Sequence, residues 1–330
     1  MNTSPLNLLT ADQLLTTAWP EPVWAIPKML PTGLTILAGK AKIGKSWLAL
    51  QIALAVASGG KALDEQVERG PVLYLALEDP PRRLENRMRK MCWPLGLDAE
   101  FMVLGEFAKQ IGKLIPTGPN TTGGGLKLAQ QIERRAYRLV VIDTLSRAVA
   151  GDQDDVAKMT EALSPIQEMA HAQNCAVLLT DHHNKMAFGG DAVTDILGST
   201  AKGALADCVW GLYRERGKTG AKLFITGRDV EERELALTFD GVTGCWQYDG
   251  DANELELTER RQEILNIVKR LGSPTLKEIV DATGQNKGNT YTRLQDLVNA
   301  GALRTSADGG HVRYAPGDAF DTAMSKCKYI

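Results

Sequence analysis

The chain has 330 residues, of which 44% are hydrophobic and 24% charged, and its formal net charge is −2. This length supports one large core and a small additional domain. The near-neutral balance excludes a global electrostatic attraction to nucleic acid or to an acidic membrane. Any contact with nucleic acid must therefore come from local patches or from repetition around an oligomer.

The cysteines and the apolar runs indicate a compartment. Five cysteines are widely spaced without a CxxC pair, and Cys175 and Cys208 lie in apolar runs where a thiol is a small core residue. This usage favours a reducing compartment over a disulfide framework. The start of the sequence lacks the pattern of a signal peptide, and no uncharged run is long enough to span a bilayer. We therefore expect a cytoplasmic protein without a membrane partner.

The first two thirds of the chain alternate between strand-like and helix-like segments. A lead-in containing prolines and tryptophans is predicted over residues 1–32, and helical periodicity occurs at 46–58 and 156–173. Apolar runs of buried-strand length begin at Leu34, Pro71, Phe101, Arg138 and Cys175. This alternation predicts an α/β fold with a mostly parallel sheet and right-handed crossovers.

The pattern changes after Asp207. Three close-set strands at 208–216, 221–229 and 234–240 predict an antiparallel meander at the edge of the sheet. The composition of residues 116–125 is typical of a flexible loop.

The predicted domain organisation follows from these segments. A main domain spans 33–248, and a polar, acidic linker covers 249–258. Three amphipathic helices and a strand pair at 259–316 predict a winged helix-turn-helix domain, followed by a tail at 317–330.

One octapeptide, GKAKIGKS at residues 39–46, fits the P-loop pattern G-x-x-x-x-G-K-[ST]. Glycines allow backbone turns that direct N–H groups at phosphate oxygens, and the following helix adds its positive dipole end. A strand directly before the motif and a helix directly after it favour a phosphate site over a chance glycine turn. No guanine-specific NKxD follows a strand, so the expected nucleotide is ATP. The predicted nucleotide-binding residues are Gly39, Lys40, Ala41, Lys42, Ile43, Gly44, Lys45, Ser46 and Trp47.

Charged side chains at strand ends predict the catalytic chemistry. Lys45 would neutralise β- and γ-phosphate charge, while Ser46 would ligate Mg²⁺ and Asp143 would orient it through water. Glu78 is predicted to orient or deprotonate the attacking water. Asp79, before two prolines, is predicted to cap a helix, and a helix-capping role is also the alternative for Asp143.

Two adjacent histidines follow the next strand, in a chain that has only four histidines. Neighbouring side chains of a strand point to opposite faces, so His182 would hydrogen-bond to the γ-phosphate while His183 turns away. A purely structural role for both histidines is the alternative.

The ordered set of motifs resembles the RecA-like ATPases, and most closely the branch of plasmid RepA-type hexameric helicases and their AAA-family relatives. The resemblance covers about Trp19 to Tyr248 and is carried by GKAKIGKSWLALQIA, LALEDPPRRLENRM, LVVIDTLSR, DHHNK, LGSTAKGALAD and GRDVEERELALTFD. It implies a RecA-like P-loop core, a ring of identical subunits, expected to be a hexamer, and ATP bound between neighbours.

The resemblance also implies two roles outside the chain's own nucleotide site. Arg228 would reach the γ-phosphate held by the next subunit, although Thr226 stands where a second cation is often found. The loop at 184–203 would line a central channel and bind single-stranded DNA, with Lys185 or Lys202 at its phosphates. The alternatives are an exposed strand-end arginine and an ordinary surface loop.

The C-terminal helices predict a second contact with DNA. In a helix beginning near Asn289, Lys287, Asn289, Thr290, Tyr291 and Arg293 would face a groove of duplex DNA, and the wing would present His311 and Arg313 to phosphate. Winged helices also dock proteins, and that alternative stays open.

Three functions are compatible with the sequence. The leading expectation is an ATP-driven, ring-forming replicative helicase of a plasmid, phage or mobile element. The second is an ATP-dependent DNA-binding regulator or recombination accessory protein that does not unwind DNA. The third is a transcription factor whose nucleotide domain is only a switch.

Overall fold

The structure is a computed structural model that describes residues 8–19, 23–112, 114, 124–149, 155–182, 200–308, 310–321 and 324. The helices are α1 (Ala11–Thr16), α2 (Lys45–Ser58), α3 (Pro81–Lys90), α4 (Leu104–Gln110), α5 (Gly124–Arg134), α6 (Leu145–Ala148), α7 (Val156–Ala172), α8 (Thr200–Leu205), α9 (Ala252–Leu271), α10 (Leu276–Thr283) and α11 (Lys287–Asn299). The strands are β1 (Trp24–Ile26), β2 (Leu30–Pro31), β3 (Gly33–Gly39), β4 (Lys61–Ala62), β5 (Glu65–Gln66), β6 (Val72–Ala76), β7 (Ala99–Val103), β8 (Leu139–Asp143), β9 (Ala176–His182), β10 (Cys208–Tyr213), β11 (Gly220–Gly227), β12 (Arg233–Asp240), β13 (Cys245–Asp251), β14 (Leu303–Asp308) and β15 (His311–Pro316).

A sheet of nine strands organises the main domain. Its order is β13-β12-β11-β10-β3-β9-β8-β6-β7, and all neighbours from β10 to β7 are parallel. Strands β11, β12 and β13 are antiparallel additions at one edge. This confirms the predicted α/β fold with antiparallel edge strands. Every residue of β3, β6 and β8 is buried, as expected for central parallel strands covered on both faces.

The two faces of the sheet are covered by different helices. Residues of α2, such as Leu48 and Ile52, belong to one apolar cluster with Leu37 of β3. Those of α7, such as Ile166, belong to the opposite cluster with Ile36. Because neighbouring side chains of a strand alternate between faces, one short strand supplies both cores. The P-loop helix is therefore fixed against the centre of the sheet.

The structure differs from the predicted domain boundaries at both ends of the main domain. Within the predicted lead-in, Ile26 and Leu30 are fully buried, and the carbonyl of Met29 accepts the indole N–H of Trp210 at 3.2 Å. The predicted linker at 249–258 is the end of β13 and the first turns of α9. Its polar composition reflects an exposed edge strand and helix surface rather than an absence of regular structure.

The C-terminal residues form the predicted three helices and strand pair. Helix α10 begins with a capping box between Thr275 and Glu278, and Gly284, with φ of 66°, ends it. Helix α11 is capped by Asn286, and β14 pairs with β15 in antiparallel register. The apolar core of this domain comprises Ile264, Leu265, Ile267, Val268, Ile279, Leu294, Leu297, Ala302, Leu303, Tyr314 and Phe320. None of the helices in the described residues is long and apolar enough to cross a bilayer.

Candidate nucleotide-binding site

The P-loop joins β3 to α2 at the carboxyl edge of the parallel strands, where open α/β sheets bind ligands. Lys42 (φ 66°) and Gly44 (φ 111°) adopt left-handed conformations that turn the backbone. Gly44 is also the N-cap of α2 and provides no side-chain acceptor to the first turn. The N–H groups of that turn are therefore oriented for an anion. Ile43 is buried, so it offers its backbone rather than its side chain.

A cavity of about 420 Å³ lies beside the P-loop. It brings together five residues predicted for catalysis or Mg²⁺ binding, which come from four separate segments: Lys45, Ser46, Glu78, Asp143 and His182. They come from α2 and from the ends of β6, β8 and β9. A nucleotide tail against the P-loop would thus meet a lysine, a hydroxyl, two carboxylates and an imidazole.

Lys45 is nearly buried, at 7% exposure, and its ammonium is held by the loop itself. Nζ donates to the carbonyls of Gly39 at 2.7 Å and Lys40 at 3.0 Å. Burial lowers the pKa of Lys45 from 10.5 to about 8, and the negative charges of Asp143, Asp181 and Glu78 oppose that shift. When nucleotide binds, negatively charged phosphate oxygens would replace the two neutral carbonyls as acceptors. They would favour the protonated form of Lys45 and so raise its pKa again.

Asp143 is fixed by three hydroxyl donors. Its carboxylate accepts from Thr180 at 2.7 Å, from Tyr74 at 2.9 Å and from Ser46 at 3.2 Å. Burial and the neighbouring carboxylate raise the pKa of Tyr74 well above its ordinary value, so the phenol remains a donor. The cap of α6 is Thr144, which makes no side-chain cap bond, so the structure does not support the capping alternative for Asp143.

The donor set at Asp143 fits Mg²⁺. A carboxylate and the hydroxyl of Ser46 are hard oxygen ligands of the kind Mg²⁺ prefers. Among the described residues no group of three or more His, Cys, Asp or Glu side chains could hold a metal alone. Magnesium would therefore be shared between Ser46, the nucleotide phosphates and water oriented by Asp143, and it would neutralise phosphate charge there.

Glu78 and Asp79 have different surroundings. Glu78 is exposed on the wall of the cavity. Asp79 is buried and forms ion pairs with Arg83, at 3.2 Å, and with Arg87. The N-cap of α3 is Pro80, without a side-chain cap bond. The predicted capping role of Asp79 is therefore wrong, because two arginines of α3 offer this carboxylate stronger partners than backbone N–H groups.

His182 ends β9 beside the P-loop lysine. Its Nδ1 lies 3.5 Å from Nζ of Lys45, and its backbone N–H donates to the carboxylate of Asp181 at 2.8 Å. His183 lies outside the described residues, as do Lys185 and the rest of the loop up to residue 199.

The predicted DNA contact of Lys202 is contradicted by its position. Lys202 is 3% exposed and its Nζ is 2.7 Å from the carboxylate of Asp181, which is 1% exposed. A buried charge requires a partner, and the nearby carboxylate supplies it. The sequence alone did not reveal this pairing, because the two residues are separated by the loop.

Arginines and aromatic rings complete the cavity, and sequence reasoning missed most of them. The guanidinium of Arg87 lies 5.1 Å from the ring centroid of Trp47, the last of the predicted nucleotide-binding residues. The guanidinium of Arg214 lies 4.9 Å from the ring centroid of Phe239 and donates a hydrogen bond to the carbonyl of Ile43 at 3.3 Å. Such flat surfaces suit the face of a nucleobase. No local motif marks Arg214, which is 171 positions from Ile43.

Arg228 lies at the opposite edge of the sheet from its own P-loop. Arg228 directly follows Gly227, which pairs with Cys208 at the start of β10. The P-loop begins at Gly39, which pairs with Leu212 near the other end of β10. The Arg228 side chain is 59% exposed, lies 3.4 Å from the Asp207 carboxylate and donates to the carbonyl of Ala204 at 2.6 Å. Within one chain it does not meet the nucleotide cavity.

Comparison with known families assigns the main domain. A family model described as an AAA domain (AAA_25) matches residues 2–187, more than half of the chain. The chain belongs to this family. Its P-loop fold is thus that of an AAA-type ATPase, a class that uses nucleotide, typically with Mg²⁺. A second model, described as the IclR helix-turn-helix domain, matches residues 258–307.

Two solved structures are similar to this AAA-domain chain. One is a DnaB-like replicative helicase, solved with its interactions with primase, at 14% identity and a TM-score of 0.49 over 65% of this chain and 58% of that one. The other is the RadB recombinase, at 16% identity and a TM-score of 0.44 over 64% of this chain and 89% of that one. Likenesses at this level do not bear on activity. The chain spans less than two thirds of the helicase.

The helix-turn-helix domain presents fewer side chains to a groove than the sequence predicted. Lys287, Asn289 and Tyr291 of α11 are exposed, as is His311 of the wing, whereas Thr290 is fully buried and donates to the carbonyl of Asn286. The prediction for Thr290 is therefore wrong, since it faces the domain core.

Two of the residues predicted to contact DNA are engaged within the domain. Half-buried Arg293 donates to the side chain of Gln285 at 3.2 Å. Arg313 donates to Asp308 and to the carbonyl of Ser273, both at 3.0 Å. These bonds tie both arginines to the fold, and the Asp308 carboxylate also offsets the charge that Arg313 would offer a phosphate.

Proposed function

We propose that the protein is an ATP-hydrolysing, ring-forming motor that acts on DNA, as a replicative helicase of a plasmid, phage or mobile element. The observation that supports the ring is the position of Arg228, which is exposed at the sheet edge opposite its own P-loop. In the head-to-tail ring that we propose, this edge of one subunit would face the nucleotide of the next. Arg228 would then stabilise the charge that develops on that nucleotide's γ-phosphate.

Hydrolysis would use the residues gathered at the P-loop. Lys45 would bind the β- and γ-phosphates, and exposed Glu78 would orient the attacking water. Ser46 and Asp143 would hold Mg²⁺ and its water. His182, next to Lys45, would report the presence of the γ-phosphate through a hydrogen bond.

Coupling to DNA is proposed from chain connectivity. His182 is followed directly by the loop that would line the channel, and that loop leads into α8, whose Ala204 carbonyl accepts from Arg228. A change at one γ-phosphate would thereby shift the loop together with the same subunit's Arg228, which would contact the next subunit's nucleotide. With Lys202 buried, Lys185 remains as the proposed contact with single-stranded DNA, and six such subunits would supply the charge that one lacks.

The second candidate is an ATP-dependent DNA-binding regulator or recombination accessory protein. The exposed Lys287, Asn289 and Tyr291 on α11 favour it, because they suit duplex DNA rather than a single strand.

The test measures ATP turnover by the wild type and by Lys45→Ala, with and without single-stranded DNA, together with the mass in solution. We expect Lys45-dependent turnover that rises on adding DNA, and an oligomer in the presence of ATP. Turnover indifferent to DNA would contradict the motor, and a strict monomer would contradict the role of Arg228 between subunits. Displacement of a strand from a forked substrate distinguishes a helicase from a regulator.

A further inference from the structure

The side chain of Trp246, on edge strand β13, contacts the P-loop directly. Its indole Nε1 donates to the carbonyl of Gly44 at 3.1 Å. The ring also lies against the Gly44 Cα, since a Cβ there would be 2.7 Å from Cζ2 of Trp246. Trp246 is 3% exposed. A movement of the backbone at Gly44 would therefore displace the Trp246 ring.

The backbone of Trp246 is also fixed, through a second contact with the P-loop helix. The side chain of Gln51 on α2 donates to the Trp246 carbonyl at 2.9 Å and accepts from its N–H at 2.7 Å. Three hydrogen bonds thus join one residue of β13 to the loop and helix that would hold the phosphates.

The same strand leads without a linker into the helix-turn-helix domain. Strand β13 ends at Asp251 and α9 begins at Ala252, six positions after Trp246. Ala252 is 3% exposed, so the start of the helix is packed against the domain. Further along, Ile264 and Val268 of α9 belong to the core of the winged helix. One continuous strand and helix therefore joins the P-loop to that core.

A cavity open to solvent separates β12 from the first turns of α9. Its volume is about 660 Å³, and it is lined by Ala236 and Leu237 of β12 and by Leu255, Glu259 and Glu263 of α9. Close-packed interfaces resist small displacements, so the first turns of α9, beside this cavity, meet less resistance to a shift of β13 than a helix packed in a core would.

We propose that Trp246 is a positioning residue that transmits occupancy of the P-loop to the winged helix. Phosphate bound at the first turn of α2 draws the Gly44 peptide toward it, the indole follows the carbonyl, and β13 changes the tilt of α9. The presence or absence of nucleotide thereby sets the orientation of the winged-helix domain, and with it the direction in which α11 faces its binding partner. This inference rests on nucleotide binding at the P-loop, but it requires neither a ring nor strand displacement.

The test is hydrogen exchange of the full chain, followed in peptides covering 252–271 with and without the non-hydrolysable analogue AMP-PNP and Mg²⁺. We expect the analogue to change exchange in α9 of the wild type at least about threefold. Trp246→Phe, which keeps an aromatic ring but loses the N–H donor, should bind AMP-PNP within about threefold of wild type and show no change in α9.

The matched control is Trp93→Phe, the same substitution at a ring that packs against Phe101 at 5.6 Å. It should retain the wild-type response. If thermal unfolding shows that Trp246→Phe does not fold, Gln51→Ala takes its place. This variant removes the two hydrogen bonds that hold the Trp246 backbone to α2 and leaves Gly44 unchanged. Its α9 should also show no change in exchange when AMP-PNP binds.

Two results would overturn this inference alone. One is unchanged exchange in α9 of wild type saturated with AMP-PNP, a result that leaves the ATPase proposal intact. The other is a wild-type response in Trp246→Phe or in Gln51→Ala. A wild type that does not bind AMP-PNP would refute the proposed function and this inference together.

Discussion

Lys45 should make ATP binding consume protons above neutral pH. In the nucleotide-free protein, burial lowers the pKa of Lys45 to about 8, so the ammonium is partly deprotonated in mildly alkaline solution. Between two phosphates the charged form is strongly favoured. A neutral lysine must therefore take up a proton as ATP binds, and the affinity must fall as the pH rises.

The size of the effect follows from this pKa. About one tenth of the nucleotide-free chains carry a neutral Lys45 at pH 7, about one half at pH 8 and about nine tenths at pH 9. Proton uptake on binding should follow the same fractions. If the bound lysine stays charged throughout, the affinity for ATP falls about tenfold from pH 7 to pH 9.

Isothermal titration calorimetry of Mg²⁺-ATP in two buffers of different ionisation enthalpy measures both the protons and the affinity. Lys45→Arg is the matched control, because a guanidinium stays charged across this range. Its affinity can be weaker than that of wild type but should not depend on pH. Proton uptake near zero at pH 8.5 in wild type, or equal uptake in Lys45→Arg, would refute the assignment to this lysine.

Four further outcomes are expected. Glu78→Gln should slow hydrolysis about 100-fold in single-turnover measurements with ATP affinity kept, and an equal loss of affinity would contradict its role at the attacking water. Asp143→Asn should raise the Mg²⁺ concentration needed for half-maximal turnover about tenfold in a metal titration, because the amide carries no charge and replaces one of the two oxygens that accept from these hydroxyls by a donor; an unchanged Mg²⁺ dependence argues against the metal role. Arg228→Ala and Lys45→Ala should each be inactive alone and regain turnover when mixed, whereas no recovery would indicate that both act within one subunit. Lys202→Ala should destabilise the domain by about 3–5 kcal/mol in thermal unfolding, since it leaves a buried carboxylate unpaired, and an unchanged midpoint with weakened DNA binding would restore the original prediction for Lys202.

The P-loop could be predicted from sequence because its determinants are contiguous. Gly39, Gly44, Lys45 and Ser46 act through backbone turns and one helix end, which an octapeptide specifies by itself. Asp143 could be predicted for a related reason, since the carboxyl ends of parallel strands meet at one edge of a sheet. Apolar periodicity likewise predicted the sheet and the three C-terminal helices.

Other assignments needed the tertiary structure, because they depend on which residues meet across long separations. Lys202 is a typical exposed cation by sequence, yet packing places it beside a buried carboxylate, so its charge stabilises the fold. Asp79 forms ion pairs with two arginines of α3 and does not cap that helix.

The sequence by itself determined that a phosphate-binding turn stands on a parallel sheet and that a winged helix follows, since both depend on short-range geometry and periodicity. Only the tertiary structure decided that Arg214 enters the nucleotide cavity and that Trp246 joins the P-loop to the strand that leads into α9. The physical reason is that the direction and register of the edge strands fix which side chains reach each end of the sheet. Local composition reports how polar those strands are, and not which strand they pair with.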